Sequence, residues 1–214
     1  MLLNYGKGII EEEAKALLNL SKTLGLDFKN AVEKLSKCKG NIIFSGVGKS
    51  GYIARKISST MTSTGSPSFF IHPTEASHGD IGGIRRRDIL VIISNSGNSK
   101  ELIDLSKFSS KIGCEIILIT SGKKSMLSNF ASIILLLPQI KEAGTHNIAP
   151  TTSTTMALSL GDAVSLALSK YKKFSKLEFS KYHPGGNIGS GLTVIEDIMH
   201  TGLKMPLVRE TDIM

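Results

Sequence analysis

Asp88-Ile89-Leu90-Val91-Ile92-Ile93-Ser94-Asn95-Ser96-Gly97-Asn98-Ser99-Lys100-Glu101 is the stretch that decides the fold. Five consecutive apolar residues, Ile89 to Ile93, are mostly β-branched, as in a strand buried on both faces of a parallel sheet. They run into small hydroxyl residues and a glycine, then into helix-compatible sequence over 99–111. Ser-x-Ser-Gly-x-Ser between a strand and a helix offers free backbone N–H groups, hydroxyl donors and the positive end of the helix dipole. That combination cradles a phosphate or another anion. The run from Ser94 to Ser99 contains no cation, so it suits a small phosphorylated metabolite better than a polyanion. A serine-rich turn that merely caps the helix is the simpler alternative.

The same alternation continues on both sides. Downstream, 115–120 reads as a buried strand, 121–125 as a turn, 126–130 as a short helix, and 132–137 as a strand halted by Pro138. Upstream, 41–45 reads as a strand, about 52–61 as a helix and 68–71 as a strand. Strands alternating with helices at this spacing mean βαβ units with right-handed crossovers. The expectation is an α/β fold, a three-layer αβα sandwich on a five-stranded parallel sheet, doubly wound and flavodoxin-like. Helices expected over about 9–20 and 28–37 would flank the sheet or join subunits. Residues 1–38 are therefore read as helices packing on a core over 39–192, and residues 193–214, where the character changes, as a separate tail.

Gly46-Val47-Gly48-Lys49-Ser50-Gly51 follows the first strand and satisfies G-x-G-x-x-G. A dinucleotide site needs an acid at the end of the second strand to hold the ribose. That strand ends in His72-Pro73, and Glu75 falls beyond it. A Walker A loop fails as well, because position 43 is Ile. What remains is a glycine turn presenting Lys49 and Ser50 at a helix N-terminus. The expected loop 72–80 carries His72, His78, Glu75 and Asp80. Its histidines are six apart, so a metal would need loop geometry or outside ligands. Further on, Lys141-Glu142-Ala143-Gly144 leaves the last strand, and the hydroxyl run Thr151 to Thr155 precedes an apolar helix over about 156–171. That run serves either as an N-cap region or as donors beside the strand ends. His183-Pro184-Gly185-Gly186 forms a turn after a short helix.

The chain has 214 residues and a formal charge of +8. Its basic clusters at 85–87, 123–124 and 170–173 fall in expected loops or at a helix end, without a basic helix bearing interleaved aromatics, so no nucleic-acid partner is expected. Cys38 and Cys114 lie far apart, which fits a reducing compartment. No signal-peptide pattern opens the chain, and no apolar run approaches the roughly 20 residues of a membrane span. The expectation is a cytoplasmic protein without a membrane partner.

Taken together, these segments resemble the sugar isomerase (SIS) superfamily, and within it the arabinose 5-phosphate isomerases. The matching segments are 46–51, 59–68, 72–80, 94–97, 141–143, 149–155 and 183–186, in family order across roughly residues 40–191. The resemblance implies reversible interconversion of D-ribulose 5-phosphate and D-arabinose 5-phosphate through an enediol, the first step toward the Kdo sugar of lipopolysaccharide, in a cytoplasmic homotetramer. Carried over by motif, Lys49, Glu101, Glu142 and His183 would act in catalysis. Gly65, Ser66, His72 and His78 would contact substrate, and Ser50, Ser94, Ser96 and Ser99 would hold the phosphate. No cofactor is required, although an inhibitory zinc near His72 is implied. Asn98 departs from the glutamate frequent in relatives, and 144–148 departs from the family pattern. Family members usually continue into a CBS pair, of which Val194 to Met199 resembles the opening.

For the chemistry, Glu142 is the expected base, Lys49 the group that holds enediolate charge, and His183 the group that opens the ring, near neutrality by its ordinary pKa. The late position of His183 suggests that it serves a neighbouring subunit. Asn98-x-x-Glu101 also fits a capping box, an alternative role for Glu101. Two rival readings stand beside the isomerase: a sugar-phosphate sensor module of the same fold, and an isomerase of another phosphosugar.

Overall fold

The computed structural model describes residues 1–183, 199–202 and 205. Five strands form one sheet: β1 (Ile42–Gly46), β2 (Ser68–Phe70), β3 (Ile89–Ile93), β4 (Glu115–Thr120) and β5 (Ile133–Leu136). All pairs are parallel, in the order β2-β1-β3-β4-β5. The three central strands are almost continuously buried, whereas the edge strands β2 and β5 keep exposed positions. Apolar runs without alternation in β1, β3 and β4 follow from burial on both faces.

Each face has its own core. On one, Phe44, Val91, Ile93, Ile117 and Leu135 meet α1 (Leu2–Thr23), α2 (Leu26–Ser36), α3 (Gly48–Ser63) and α6 (Thr152–Tyr171). On the other, Ile43, Leu90, Ile92, Ile116 and Leu118 meet the short α4 (Pro73–Ser77) and α5 (Glu101–Lys111). The three-layer α/β architecture is as expected, and within the same unit, Met1–Phe174, α2 packs on β5 and α6 while α1 packs on α6.

Three segments differ from expectation. α1 starts at Leu2 rather than near residue 9, because apolar periodicity marks only its buried half, at Ala16 and Leu20. The 126–130 segment is a single 3-10 turn, Leu127–Asn129, in which the Ser128 hydroxyl bonds back to Ser125 O (2.6 Å). The 72–80 loop contains α4, begun by Pro73 and capped by His72, whose Nδ1 accepts the Thr74 N–H (3.3 Å). Proline at the first helical position and a side-chain acceptor just before it are sufficient to start a turn of helix.

One helix pair positions the site. Gly161 of α6 sits against Ile57 of α3, where a Cβ would collide with that side chain. Lys56 of α3 pairs with Asp162 of α6 at 2.6 Å. Near the far ends, Lys172 Nζ donates to Ser66 Oγ (2.9 Å) and the Phe174 ring covers Gly65. The offset along both chains stays nearly constant, so α3 and α6 run parallel and in step. Gly48 and Thr152 each lie nine residues before the crossing, about 14 Å at the helical rise. Both helices therefore begin at the same end of the pair.

A second unit spans Ser175–Met214. Its described helix, α7 (Lys176–Lys181), has the capping box of Ser175 and Glu178. Hydrogen bonds from the backbone N–H and the hydroxyl of Ser175 hold the Glu178 carboxyl below its usual range. The tail at 193–214 lies outside the described residues except for 199–202 and 205, as do Pro184 to Gly186.

Candidate active site

Gly46, the last residue of β1, pairs with Ile93, the last of β3. From there the chain leaves toward opposite faces, into α3 on one side and α5 on the other. This divergence is the topological switch point, where open α/β sheets bind ligands in the crevice beyond the strand tips. The glycines around it serve contact. A Cβ on Gly46 would come within 3.0 Å of both Ile93 O and Ser50 O, and one on Gly51 within 2.7 Å of Gly46 O. Gly48, with φ +57°, makes the turn that a side chain would strain. Lys49 then stands exposed in the first turn of α3, with Ser50 half-buried beside it.

The serine loop lies alongside. Ser94 is buried and its hydroxyl bonds to that of Ser99 (2.9 Å). Ser96 Oγ accepts the Asn98 N–H (3.2 Å). The N–H groups of Asn95, Ser96, Ser99 and Lys100 have no hydrogen-bond acceptor among the described residues. The loop therefore offers several unpaired donors next to the N-terminus of α5, the composition of an anion site.

Glu142 reaches the same edge from the third side. Its Oε2 accepts the N–H groups of Thr151 (2.9 Å) and Ser153 (3.1 Å), and its Oε1 accepts the Ser153 hydroxyl. The carboxylate is thus fixed at the head of α6, where the dipole favours it. The packing of α6 against α3 places both helices on the same face of the sheet. Thr152 Oγ1 accepts the Ala143 N–H (3.0 Å), and the Thr151 hydroxyl is buried with no partner among the described residues. The hydroxyl run Thr151 to Thr155, expected ahead of the helix, instead opens α6 at Thr152, and it fixes a carboxylate as well.

Three helix N-termini, an anion loop, a lysine and a fixed carboxylate at one sheet edge delimit a family. The SIS domain family matches residues 34–167, well over half of the chain. The chain belongs to the SIS domain family. It is 44% identical over 200 residues to the arabinose 5-phosphate isomerase KpsF of Escherichia coli O6:H1, and 41% identical over 207 residues to KdsD of E. coli K12. Those matches take in 92% and 96% of this chain but 61% and 63% of the relatives, so the chain spans less than two thirds of their length. Among solved structures, E. coli CFT073 c3406 in complex with arabinose 5-phosphate superposes with a TM-score of 0.83 at 40% identity, covering 86% of this chain and 97% of that one.

Within this SIS domain the remaining residues divide. His72 and Gly48 line one recess of about 130 Å³ with Tyr52 and Arg55. An adjoining open cleft of about 570 Å³ is lined by Arg55, His72, Glu75 and Asp80. His78 is exposed at the end of α4. Glu101 opens α5 and is exposed, but the capping box does not form, because the Asn98 side chain is engaged elsewhere. Gly65 and Ser66 follow the C-terminal end of α3, at the sheet edge opposite the serine loop, so one chain does not bring them into this site. Ser66 is 1% exposed and bonded to Lys172, whose ammonium burial pulls below its usual range. His183 belongs to the second unit. There it stacks on Phe179 (ring centroids 4.0 Å apart) and its Nδ1 meets Phe179 O at 2.8 Å. A carbonyl can only accept, so Nδ1 carries the proton and Nε2 is left for chemistry.

A zinc at His72 finds an incomplete donor set. No group of three His, Cys, Asp or Glu side chains that could hold a metal occurs among the described residues, and His72 Nδ1 is already an acceptor for Thr74 N–H. Sequence reading passed over Arg55, whose guanidinium stacks 4.1 Å above the Phe70 ring in both recesses. Its signal was available: Gly48, Tyr52 and Arg55 recur at helical spacing on one face of α3.

Proposed function

We propose that this chain interconverts D-ribulose 5-phosphate and D-arabinose 5-phosphate. The observation that carries the reading is the Glu142 carboxylate held at the head of α6 by Thr151 and Ser153. The likeness to KpsF and KdsD, and to a structure holding arabinose 5-phosphate, supports the choice of sugar. The phosphate docks on the Ser94–Ser99 loop and Ser50, which supply uncharged donors and helix dipoles. Glu142 takes a proton from C1 of the ketose and, once that proton has exchanged with solvent, delivers one to C2 of the enediol, while the hydroxyl proton passes from O1 to O2. Lys49 stabilises the oxyanion that develops between these steps, and Glu101 is the further acid available to relay the hydroxyl proton. His183, through Nε2, opens the ring of the aldose. Acid–base chemistry alone accounts for each transfer, so no cofactor is required. An inhibitory zinc at His72 would draw its other ligands from a second copy or from the sugar.

The working form is proposed to be a cytoplasmic homotetramer whose product feeds Kdo and lipopolysaccharide. One feature supports assembly: Leu2, Leu3 and Ile10 of α1 are 84%, 70% and 70% exposed.

Incubation with ribulose 5-phosphate in D2O tests the reading. Arabinose 5-phosphate carrying solvent deuterium at C2 is expected. Absence of both the product and the exchange refutes it.

A further inference from the structure

The serine loop does not hold its own shape. Every backbone carbonyl from Ser94 to Gly97 is taken up, and four of the six donors come from Thr120, the last residue of β4, and the segment that follows it. Asn95 O accepts three: Ser121 N–H (2.9 Å), the Ser121 hydroxyl (2.8 Å) and the Thr120 hydroxyl (3.0 Å). Gly97 O accepts Leu127 N–H (3.0 Å), and Asn98 Oδ1 accepts Met126 N–H (2.9 Å). Within the loop, Ser94 O accepts Gly97 N–H (3.1 Å) and Ser96 O accepts the Asn98 amide (3.1 Å). Contact completes the fit. A Cβ on Gly97 would be 2.6 Å from Ser125 Cβ, and one on Gly122 would collide with Ser96 O.

A peptide plane carries its N–H and C=O on opposite sides, so carbonyls drawn to one side leave N–H groups facing the other. We infer that Thr120, Ser121 and Asn98 are positioning residues: Thr120 and Ser121 draw Asn95 O toward the β4–β5 connection and thereby aim the Ser96 N–H of the same peptide plane at the anion, while Asn98, bonded to both Ser96 O and Met126 N–H, ties the loop to that connection. The inference rests on the proposed phosphate role of the loop, and assigns part of its affinity to side chains whose hydrogen bonds go to the loop backbone and to the segment around Thr120–Met126. Thr120 is the keystone, since its buried hydroxyl also accepts Gly122 N–H (3.0 Å).

The test uses the full chain with inorganic phosphate as the probe, read by calorimetry under conditions where circular dichroism shows each variant folded. Thr120→Val should weaken phosphate binding about tenfold, and the exposed Asn98→Ala by a similar factor, as loss of one hydrogen bond that orients a charged ligand implies. Thr120→Ser, which keeps the hydroxyl, should restore affinity to within about twofold. In turnover, KM for the sugar phosphate should rise with little change in kcat, because positioning the phosphate loosens ground and transition states alike. Phosphate affinity unchanged in both Thr120→Val and Asn98→Ala, or equal loss in Thr120→Ser and Thr120→Val, overturns the inference. Phosphate binding that responds as described in a chain without isomerase activity leaves the inference standing and removes the proposed reaction instead.

Discussion

Glu142 and Ser153 are joined twice: the Ser153 N–H and the Ser153 hydroxyl each donate to a different oxygen of the Glu142 carboxylate. The residue proposed as the base also accepts the Thr151 and Ser153 N–H groups at the start of α6, so its orientation and the start of the helix are one structure.

Substitutions of Glu142 should therefore separate two effects. Glu142→Gln keeps acceptor capacity for α6 and should retain the fold while cutting turnover about 10²–10⁴-fold, the usual contribution of a general base. Glu142→Ala should in addition lower stability by about 0.5–2 kcal/mol through loss of the cap. Steady-state kinetics and urea unfolding of the two variants read the effects separately, and full turnover in Glu142→Gln excludes it as the base.

The loop carrying Glu142 is held from afar. Tyr5 of α1 accepts the Thr145 N–H (3.1 Å) and bonds the Thr145 hydroxyl (2.9 Å), 140 residues away in sequence. Gly144, at φ +96°, passes beneath the same phenol. Tyr5→Phe should cost about 1 kcal/mol of positioning, roughly fivefold in kcat, with phosphate affinity unchanged. An unaltered kcat would show that the contact does not reach the carboxylate.

Gly161 should resist a substitution that helix propensity favours. Alanine is about 1 kcal/mol better than glycine inside a helix. Here its methyl meets the Cγ1 of Ile57 at 2.6 Å. Gly161→Ala should destabilise by about 1–3 kcal/mol, the usual cost of overpacking. Paired with Ile57→Val, which trims the opposing side chain, it should recover part of that loss. A stabilising Gly161→Ala in thermal unfolding would contradict the close crossing of α3 and α6.

Burial pushes the Cys114 thiol up to about 12 from its ordinary 9.0. It is 4% exposed and donates to Asp88 O at 3.3 Å. Between those two values the unfolded chain has released the proton and the folded chain has not, so the unfolded state binds fewer protons. Stability must then fall as pH rises from about 9 toward 12, a component that Cys114→Ala should remove. At pH 8 Cys114 should not react with iodoacetamide unless the chain unfolds, and mass mapping of the labelled protein checks it. Rapid native labelling at Cys114 would be inconsistent with this packing.

Much of the architecture is legible along the chain. The buried runs in β1, β3 and β4 mark the strands, their alternation with helices implies a parallel sheet, and the spacing of Gly46, Gly48 and Gly51 marks a tight strand-to-helix turn. These are properties of residues within a few positions of one another. The helical turn at Pro73–Ser77 replaces an expected loop although its signals are local: Pro73 at the first helical position and His72 as the acceptor before it. The Asn98–Glu101 capping box is compatible with the sequence yet does not form, since Met126 competes for the same side chain.

Sequence alone determined which elements exist and which residues could serve an anion or a proton. Only the tertiary structure decided which of them meet: that α3 and α6 pack side by side with the Glu142 carboxylate bound at the head of α6, that the segment after β4 is bonded to the serine loop, and that Gly65 and Ser66 stand at the opposite edge. Periodicity and turn chemistry act over a few residues, whereas these placements come from close packing between segments far apart in the chain, which no local pattern encodes.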